Sequence, residues 1–162
     1  MNKVYIDKSA VDYIRVEIDK VKDKNIETGG IIVGRSSKHD NITIVSHCLS
    51  GGYKAIREKY CFKKDINYSK MIENKIKAQY GFYYIGEWHT HPNNNLNYSE
   101  TDRMSMIDIA TENKDYLMIF IIAGNTIKIP FKMYYYDYEN KKIKEIKYKI
   151  VKKIEKYLKN IL

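Results

Sequence analysis

The chain has 162 residues, which suits one domain of ordinary size with a core that needs neither disulfides nor structural metals. A hydrophobic fraction of 44%, with 30% charged residues and 2 prolines, excludes an intrinsically disordered chain. The net charge of +9 invites nucleic-acid binding, but a solvated lysine-rich surface explains it as well, so no nucleic-acid partner is expected. Without a signal-peptide pattern or an apolar run near the ~20 residues that span a bilayer, we expect a cytoplasmic protein with no membrane partner.

The first predicted elements are a strand at residues 4–6 and a helix whose apolar residues recur at helical spacing from Ala10 to Val21. Ser9 is the expected N-cap of that helix. An apolar run from Gly29, a polar turn at 36–41 and a β-branched run at 42–45 predict a β-hairpin.

Residues 49–59 carry two glycines and several charges, which predicts an exposed loop before a short strand at about 60–63. A helix is predicted over residues 66–79. Its expected buried stripe consists of Ile66, Met71, Ile72 and Ile76. Residues 82–91 have the pattern of a strand.

Ser99 is expected to open a third helix that runs to about residue 112. A buried strand at 116–123 is followed by a tight turn and a partner strand at 126–138, where Pro130 indicates an edge or a bulge. Residues 141–162 are predicted to form a basic helical extension. The whole chain, 1–162, therefore reads as a single α/β (α+β) domain with a mixed, mostly antiparallel sheet flanked by helices.

Two histidines in the predicted strand, His89 and His91, are two residues apart and project from one face, with Cα atoms roughly 6–7 Å apart. Asp102, on the first turn of the next predicted helix, can supply a third ligand. Two imidazole nitrogens and one carboxylate leave the fourth tetrahedral position of Zn²⁺ for water, which is the arrangement of a catalytic site. The water needs a base, and Glu27, just ahead of Gly29, is the candidate.

Each of these residues also has a structural interpretation. Ser99 and Asp102 fit a capped helix start, and both interpretations hold together because a capped helix fixes the aspartate. Glu27, considered alone, fits a solvated surface carboxylate. Glu87 is nearer to the histidines but points parallel to them, so we expect it to pair with a lysine or to support a ligand. Trp88 faces the other way and is expected in the core.

Other candidate residues are assigned to structure. Cys48 and Cys61 are expected to remain unpaired thiols in a reducing compartment. His39 is expected in a turn and His47 on a strand, since neither has a partner at ligand spacing. The zinc-protease signature H-E-x-x-H is absent from the sequence.

The order Glu27, then His-x-His-Pro at residues 89–92, then Ser-x-x-Asp at residues 99–102 resembles the JAMM motif of JAB/MPN metalloproteases and isopeptidases. The lead-in Glu-Thr-Gly-Gly at residues 27–30 and the block 86–92 are most similar to small bacterial JAB proteins, including the deconjugating peptidases of CBASS antiphage operons. The resemblance covers roughly residues 4–122. It implies a JAB/MPN-like, cytidine-deaminase-like fold.

The resemblance also implies roles for single residues. His89, His91 and Asp102 would hold Zn²⁺, Glu27 would act as the general acid/base, and Ser99 would stabilise the oxyanion. The implied activity is cleavage after the C-terminal glycine of a ubiquitin-like modifier. The implied partners are that modifier or its protein conjugate and an E1/E2-like conjugation partner from the same operon.

Two alternatives belong to other functional classes. One is a noncatalytic MPN-type binding module, against which the filled motif positions argue. The other is a nucleic-acid-associated protein that uses the basic tail, which a salt-dependent mobility shift would support. The sequence does not identify the modifier.

Overall fold

The computed structural model describes residues 2–37, 41–125 and 131–158. Its elements, in chain order, are β1 (Lys3–Asp7), α1 (Lys8–Asp19), β2 (Gly29–Ser37), β3 (Ile42–Cys48), β4 (Ile56–Glu58), β5 (Cys61–Lys63), α2 (Ile66–Tyr80), β6 (Tyr83–His91), α3 (Glu100–Glu112), β7 (Ile119–Gly124), β8 (Phe131–Asp137), β9 (Lys142–Ile146), β10 (Tyr148–Val151) and α4 (Glu155–Leu158). Within these described ranges, eight strands form one sheet in the order β10-β1-β3-β2-β6-β7-β8-β9. The sheet is mixed and mostly antiparallel and the helices flank it, which confirms the predicted fold class.

The core lies on both faces of the sheet, and β7 is buried from both sides. Ile119 and Ile121 join a cluster with Ile14 of α1. Phe120, which alternates to the other face, joins a second cluster with Met106 of α3. A strand that is covered on both faces is apolar throughout, which explains the unbroken hydrophobic run in this part of the sequence.

The N-cap of the first helix lies two residues before the predicted one. Asp7 is the N-cap, because its Oδ1 accepts hydrogen bonds from the backbone N–H of Ser9 at 2.8 Å and from Ser9 Oγ at 2.6 Å. The prediction of Ser9 as N-cap was therefore wrong, since the aspartate oxygen takes the acceptor position and the serine becomes a donor.

The segment predicted as an exposed loop at 49–59 contains a strand. Residues Ile56–Glu58 pair antiparallel with Cys61–Lys63, and Arg57 lies opposite Phe62. We call this two-stranded unit the β4–β5 hairpin. Because its strands have three residues each, no alternating hydrophobic pattern is long enough to reveal it.

The buried stripe predicted for α2 is only partly right. Ile66 and Met71 are 58% and 46% exposed, while Ile76 packs at the edge of a core cluster. Apolar residues at helical spacing show which face of a helix is hydrophobic. They do not show whether other elements cover that face along its whole length.

The predicted helical extension at 141–162 was wrong for its first half. Lys142–Ile146 pairs antiparallel with β8, and Tyr148–Val151 pairs parallel with β1. Both strands form hydrogen bonds with backbone groups at the edges of the sheet. These hydrogen bonds outweigh the helical preference that the spacing of the apolar residues indicates. Within the described part of this tail, only Glu155–Leu158 is α-helical.

Some predicted features lie outside the described residues, namely His39, the first part of the strand predicted at 126–138 with Pro130, and the end of the tail. No helix in the described ranges is long and apolar enough to cross a membrane.

Candidate metal centre

The two histidines lie at the end of β6, which runs between β2 and β7 in the middle of the sheet. In the antiparallel register with β2, His89 lies opposite Gly29 and Trp88 lies opposite Gly30. His89 and His91 share one face of the strand by alternation, and Thr90 between them is fully buried on the other. The β-strand spacing expected for two ligands is therefore present.

Asp102 completes a compact group of three side chains with the histidines. The Nε2 atoms of His89 and His91 are 3.1 Å apart, Asp102 Oδ1 is 3.1 Å from His89 Nε2, and Asp102 Oδ2 is 3.2 Å from His91 Nε2. A tetrahedral zinc site with bonds of about 2.0–2.1 Å has ligand atoms about 3.3 Å apart. The two nitrogens and one carboxylate fit a zinc ion in both number and spacing.

The start of α3 fixes the orientation of Asp102. Ser99 is the N-cap, and the pair forms a capping box in which Ser99 N–H donates to Asp102 Oδ2 at 2.7 Å and Asp102 N–H donates to Ser99 Oγ at 3.1 Å. Burial opposes ionisation of Asp102, but the bonds from His89 and His91 outweigh it and hold the pKa of this carboxyl well below its ordinary value. The third ligand is thus an anionic carboxylate.

A backbone carbonyl sets the tautomer of His91. Its Nδ1 lies 2.6 Å from the carbonyl oxygen of Asn95, and a carbonyl can only accept, so Nδ1 carries the hydrogen. In the charged ring Nε2 donates to Asp102, and when the ring becomes neutral the same atom presents its lone pair to the centre, as a metal ligand must. Asn95 was not among the residues predicted from the sequence, although it lies in the polar loop that follows the ligand histidines, where such an acceptor can be expected.

Glu27 lies on the approach to β2, beside the histidines. If the register of Gly29 with His89 is continued, Glu27 falls opposite His91 and on the same face. Burial raises the pKa of its carboxyl, which the charges of His89 and His91 oppose. This electrostatic coupling and a shared cleft bring Glu27 to the same centre as the three candidate ligands.

Glu87 already has two partners. Its Oε1 forms an ion pair with Lys64 and accepts a hydrogen bond from Tyr84 Oη at 2.9 Å. The expected lysine partner of Glu87 is therefore Lys64, which directly follows β5 in the sequence. Burial, together with the charge of Glu87, raises the pKa of Tyr84, so the phenol remains a donor.

A cleft of about 520 Å³ opens over the centre. Besides the five candidate residues, its lining includes apolar side chains of α3 and the sheet. The β4–β5 hairpin supplies one wall through Cys61, Phe62 and Lys63. This wall was not predicted from the sequence, because residues 49–59 were expected to form a loop and the strand at about 60–63 therefore had no predicted partner.

The chain that follows β3 crosses close to β2 behind the histidines. The indole N–H of Trp88 donates to the carbonyl oxygen of Leu49 at 2.9 Å. A Cβ on Gly30 would lie 1.7 Å from that same oxygen, so only glycine allows the approach. Trp88 is fully buried, as predicted.

Both cysteines are free thiols, as the sequence predicted. Burial raises the pKa of the Cys48 thiol. Cys61 lies on the cleft wall and is partly exposed.

Comparisons with known proteins show the family to which the chain is related. The family model for prokaryotic homologs of the JAB domain matches residues 15–134, which is more than half of the chain. The probable metalloprotease y4qB of Sinorhizobium fredii is 30% identical over 95 residues, covering 56% of this chain and 54% of that relative. A CD-NTase/cGAS isopeptidase of Enterobacter hormaechei is 29% identical over 101 residues, covering 60% of this chain and 55% of that relative. The chain spans about half the length of these curated relatives.

A solved structure has the same fold. The solution structure of protein DSY2949 from Desulfitobacterium hafniense superposes with a TM-score of 0.70 at 15% sequence identity, over 95% of this chain and 97% of that chain.

Proposed function

Because the chain belongs to the family of prokaryotic homologs of the JAB domain, we propose that it is a zinc-dependent isopeptidase or peptidase. The bond cleaved is the one after the C-terminal glycine of a ubiquitin-like modifier or modifier-like conjugate. Relatives named as a probable metalloprotease and an isopeptidase support hydrolysis of a peptide or isopeptide bond. The observation that carries the proposal is the convergence of His89, His91 and Asp102 at 3.1–3.2 Å in a cleft that Glu27 also lines.

Zinc is the proposed metal because two imidazole nitrogens and one carboxylate are its usual ligands in hydrolytic sites. When bound, it supplies Lewis acidity that polarises the scissile carbonyl and lowers the pKa of a water molecule. The protein's part is to hold three ligands in a fixed geometry, which β6 and the capped start of α3 do.

Glu27 moves the proton in the proposed reaction. As the water oxygen bonds to the carbonyl carbon, one Glu27 oxygen accepts a proton from the water, and it delivers this proton to the amine nitrogen as the C–N bond breaks. A proton carrier works best when its pKa is nearer to the operating pH than that of an ordinary glutamate. Burial raises the pKa of Glu27 in this direction.

Ser99 donates a hydrogen bond to the oxyanion that develops on the carbonyl oxygen. In the capping box its Oγ accepts from the Asp102 N–H, and this uses a lone pair rather than the hydroxyl hydrogen. The O–H therefore remains available to a group in the cleft, so Ser99 can cap the helix and stabilise the oxyanion at the same time.

The cleft suits an extended, small-residue tail. The β4–β5 hairpin that lines it is a two-stranded unit, and the outer edge of such a unit offers backbone groups to an added strand. Pairing through the backbone requires no side chains on the bound segment. This favours the glycine-rich end of a modifier over a peptide that is recognised by bulky side chains.

The partners we propose are the modifier or its protein conjugate and an E1/E2-like conjugation partner from the same operon. We further propose antiphage defence as the setting and the cytoplasm as the location, because the motif resembles that of the deconjugating peptidases of CBASS operons. One relative is named a CD-NTase/cGAS isopeptidase.

The test uses the purified chain loaded with zinc and an internally quenched probe, in which a peptide ending in Gly-Gly is joined to the ε-amine of a lysine peptide. We expect about one zinc per chain and a fluorescence increase from cleavage after the second glycine. The variant His89→Ala should lose zinc and cleavage together. A chain that holds a full equivalent of zinc and leaves the probe intact would contradict the isopeptidase proposal.

A further inference from the structure

The backbone that carries Glu27 is held on two sides by groups that take no part in the proposed chemistry. The inner side is β6. Thr28 N–H donates to Thr90 Oγ1 at 3.0 Å, and Thr90 N–H donates to the carbonyl oxygen of Thr28 at 2.9 Å. Thr28 and Thr90 are both buried, and Thr90 is the residue between the two histidines. Residue 28 is thus hydrogen-bonded directly to β6, the strand that carries His89 and His91.

The outer side is the β4–β5 hairpin. Arg57 Nε donates to Thr28 Oγ1 at 3.1 Å, and Arg57 Nη1 donates to the carbonyl oxygen of Gly52 at 3.1 Å. The guanidinium also lies 5.9 Å from the centre of the Phe62 ring. One residue earlier, Glu27 N–H donates to the carbonyl oxygen of Glu58 at 2.8 Å.

A continuous hydrogen-bonded path therefore runs from the hairpin through Thr28 to Thr90. We propose that Arg57 is a positioning residue for Glu27, holding residue 28 against the histidine strand so that the carboxylate of the neighbouring residue keeps its distance from the centre. The inference rests on the proposed function only in naming Glu27 as the proton carrier. It makes the hairpin part of the catalytic geometry as well as a wall of the cleft.

The chemistry of arginine suits this role. A guanidinium offers several N–H donors in a rigid fork, so one side chain can bond Thr28 Oγ1 and the Gly52 carbonyl together while its face packs near Phe62. A lysine has a single donor centre and cannot reproduce the three contacts. A displacement of about 1 Å in a catalytic group can lower the rate by about 10²-fold, so a modest loosening of residue 28 is measurable.

The kinetic test compares Thr28→Val, Thr28→Ser, Arg57→Met and Arg57→Lys, all zinc-loaded, on the quenched Gly-Gly isopeptide probe. Thr28→Val keeps the shape and removes the hydroxyl that accepts from Arg57, so we expect kcat to fall about 10-fold to 10²-fold with KM changed less than about 2-fold. Thr28→Ser, which retains the hydroxyl, should restore most of kcat. Arg57→Lys should lower kcat about as much as Arg57→Met.

The double variant Thr28→Val/Arg57→Met should be no slower than Arg57→Met alone, because both changes break the same bond. Arg15→Met on α1 is the matched control for loss of an arginine and should leave kcat unchanged. If Thr28→Val and Arg57→Met raise KM and leave kcat intact, the hairpin acts in substrate binding alone and the inference is wrong.

A second measurement does not depend on activity. Amide hydrogen exchange in the metal-free protein should be about 10-fold faster at Glu27 and Thr28 in Arg57→Met than in the wild type, with no change at Ile121 in the core. Unchanged exchange at residues 27 and 28, or an equal increase at Ile121, would overturn the positioning role. If the wild type leaves the probe intact, the proposed function fails, while the exchange rates still decide whether Arg57 orders residue 28.

Discussion

Ser99 and Asp102 form two reciprocal hydrogen bonds at the start of α3. Ser99 N–H donates to Asp102 Oδ2 at 2.7 Å, and Asp102 N–H donates to Ser99 Oγ at 3.1 Å. The same aspartate oxygen that accepts from Ser99 lies 3.2 Å from His91 Nε2. The same pair of residues therefore caps α3 and orients the Asp102 carboxylate toward the histidines. Because the cap needs an acceptor and the oxyanion needs a donor, variants can separate these two uses of Ser99.

Ser99→Gly should keep the zinc and most of the stability, since glycine at an N-cap costs only a few tenths of a kcal/mol relative to serine. Turnover should fall about 10²-fold to 10³-fold, because the O–H donor is lost. Ser99→Thr retains both functions and should stay within about 10-fold of the wild type. Thermal unfolding and kcat measured on the same preparations check this, and an unchanged rate in Ser99→Gly would leave Ser99 as a cap only.

Glu27→Gln and Glu87→Gln form a matched pair that tests the base. Glu27→Gln keeps size and removes basicity, so we expect normal zinc content and a steep loss of kcat, together with loss or displacement of the acidic limb of the rate profile in pH. Glu87→Gln weakens the ion pair with Lys64 and should mainly reduce stability. The assignment of the proton carrier would be wrong if Glu87→Gln lost activity while Glu27→Gln retained it.

Zinc should stabilise the wild type and have no such effect on His89→Ala. Binding to the folded state alone raises the free energy of unfolding by about 2.7 kcal/mol at a zinc concentration 100 times Kd. Trp88→Ala is the contrasting variant, because the indole is fully buried and its loss should cost about 3–5 kcal/mol while the ligands remain. Urea unfolding with and without zinc distinguishes them, and equal zinc responses in the wild type and His89→Ala would exclude His89 as a ligand.

We expect protonation of His47 to lower the free energy of unfolding at mildly acidic pH. Its ring packs against Tyr80 and Phe82, at centroid distances of 5.7 and 6.1 Å. Burial lowers the pKa of His47, and the charge of Asp7 opposes this shift only in part. The unfolded chain then binds more protons than the folded one, so the stabilisation is complete above the ordinary histidine pKa of about 6.5 and declines as the pH falls below it.

The measurement for His47 is the free energy of unfolding at pH 7.5 and pH 5 in the wild type and in His47→Gln. We expect the variant to lose less stability between these values, since an amide does not titrate there. All other titrating groups are common to both proteins and cancel in the difference. An equal loss in the two proteins would mean that protonation of His47 is not coupled to folding.

The arrangement of the centre could be predicted from sequence because it depends on local rules. Strand alternation puts His89 and His91 on one face, and the Ser99 to Asp102 spacing encodes a capping box. The position of Glu27 was predicted from the motif order alone. Its physical reason, the pairing of Thr28 with Thr90, joins residues 62 positions apart and cannot be deduced from local pattern.

The C-terminal strands could not be predicted for a similar reason. Tyr148–Val151 is a strand because β1 offers it a backbone edge, whereas its apolar spacing fits a helix equally well. Likewise, the hairpin at residues 56–63 gains its order from bonds made by Arg57 and by the Glu58 carbonyl to the Glu27–Thr28 segment. In each case a distant partner decides between two locally acceptable conformations.

The parallel pairing of β1 with β10, which puts Val4 opposite Tyr148 and Ile6 opposite Ile150, also affects biosynthesis. A ribosome adds about 5–20 residues per second, so β1 leaves the exit tunnel many seconds before its outer neighbour exists. During that interval β1 can join β3 but presents a bare edge, and such edges recruit other nascent chains. Completion of this sheet therefore waits until β10 has been synthesised, and stalling before β10 emerges should expose the chain to aggregation and to holdase chaperones.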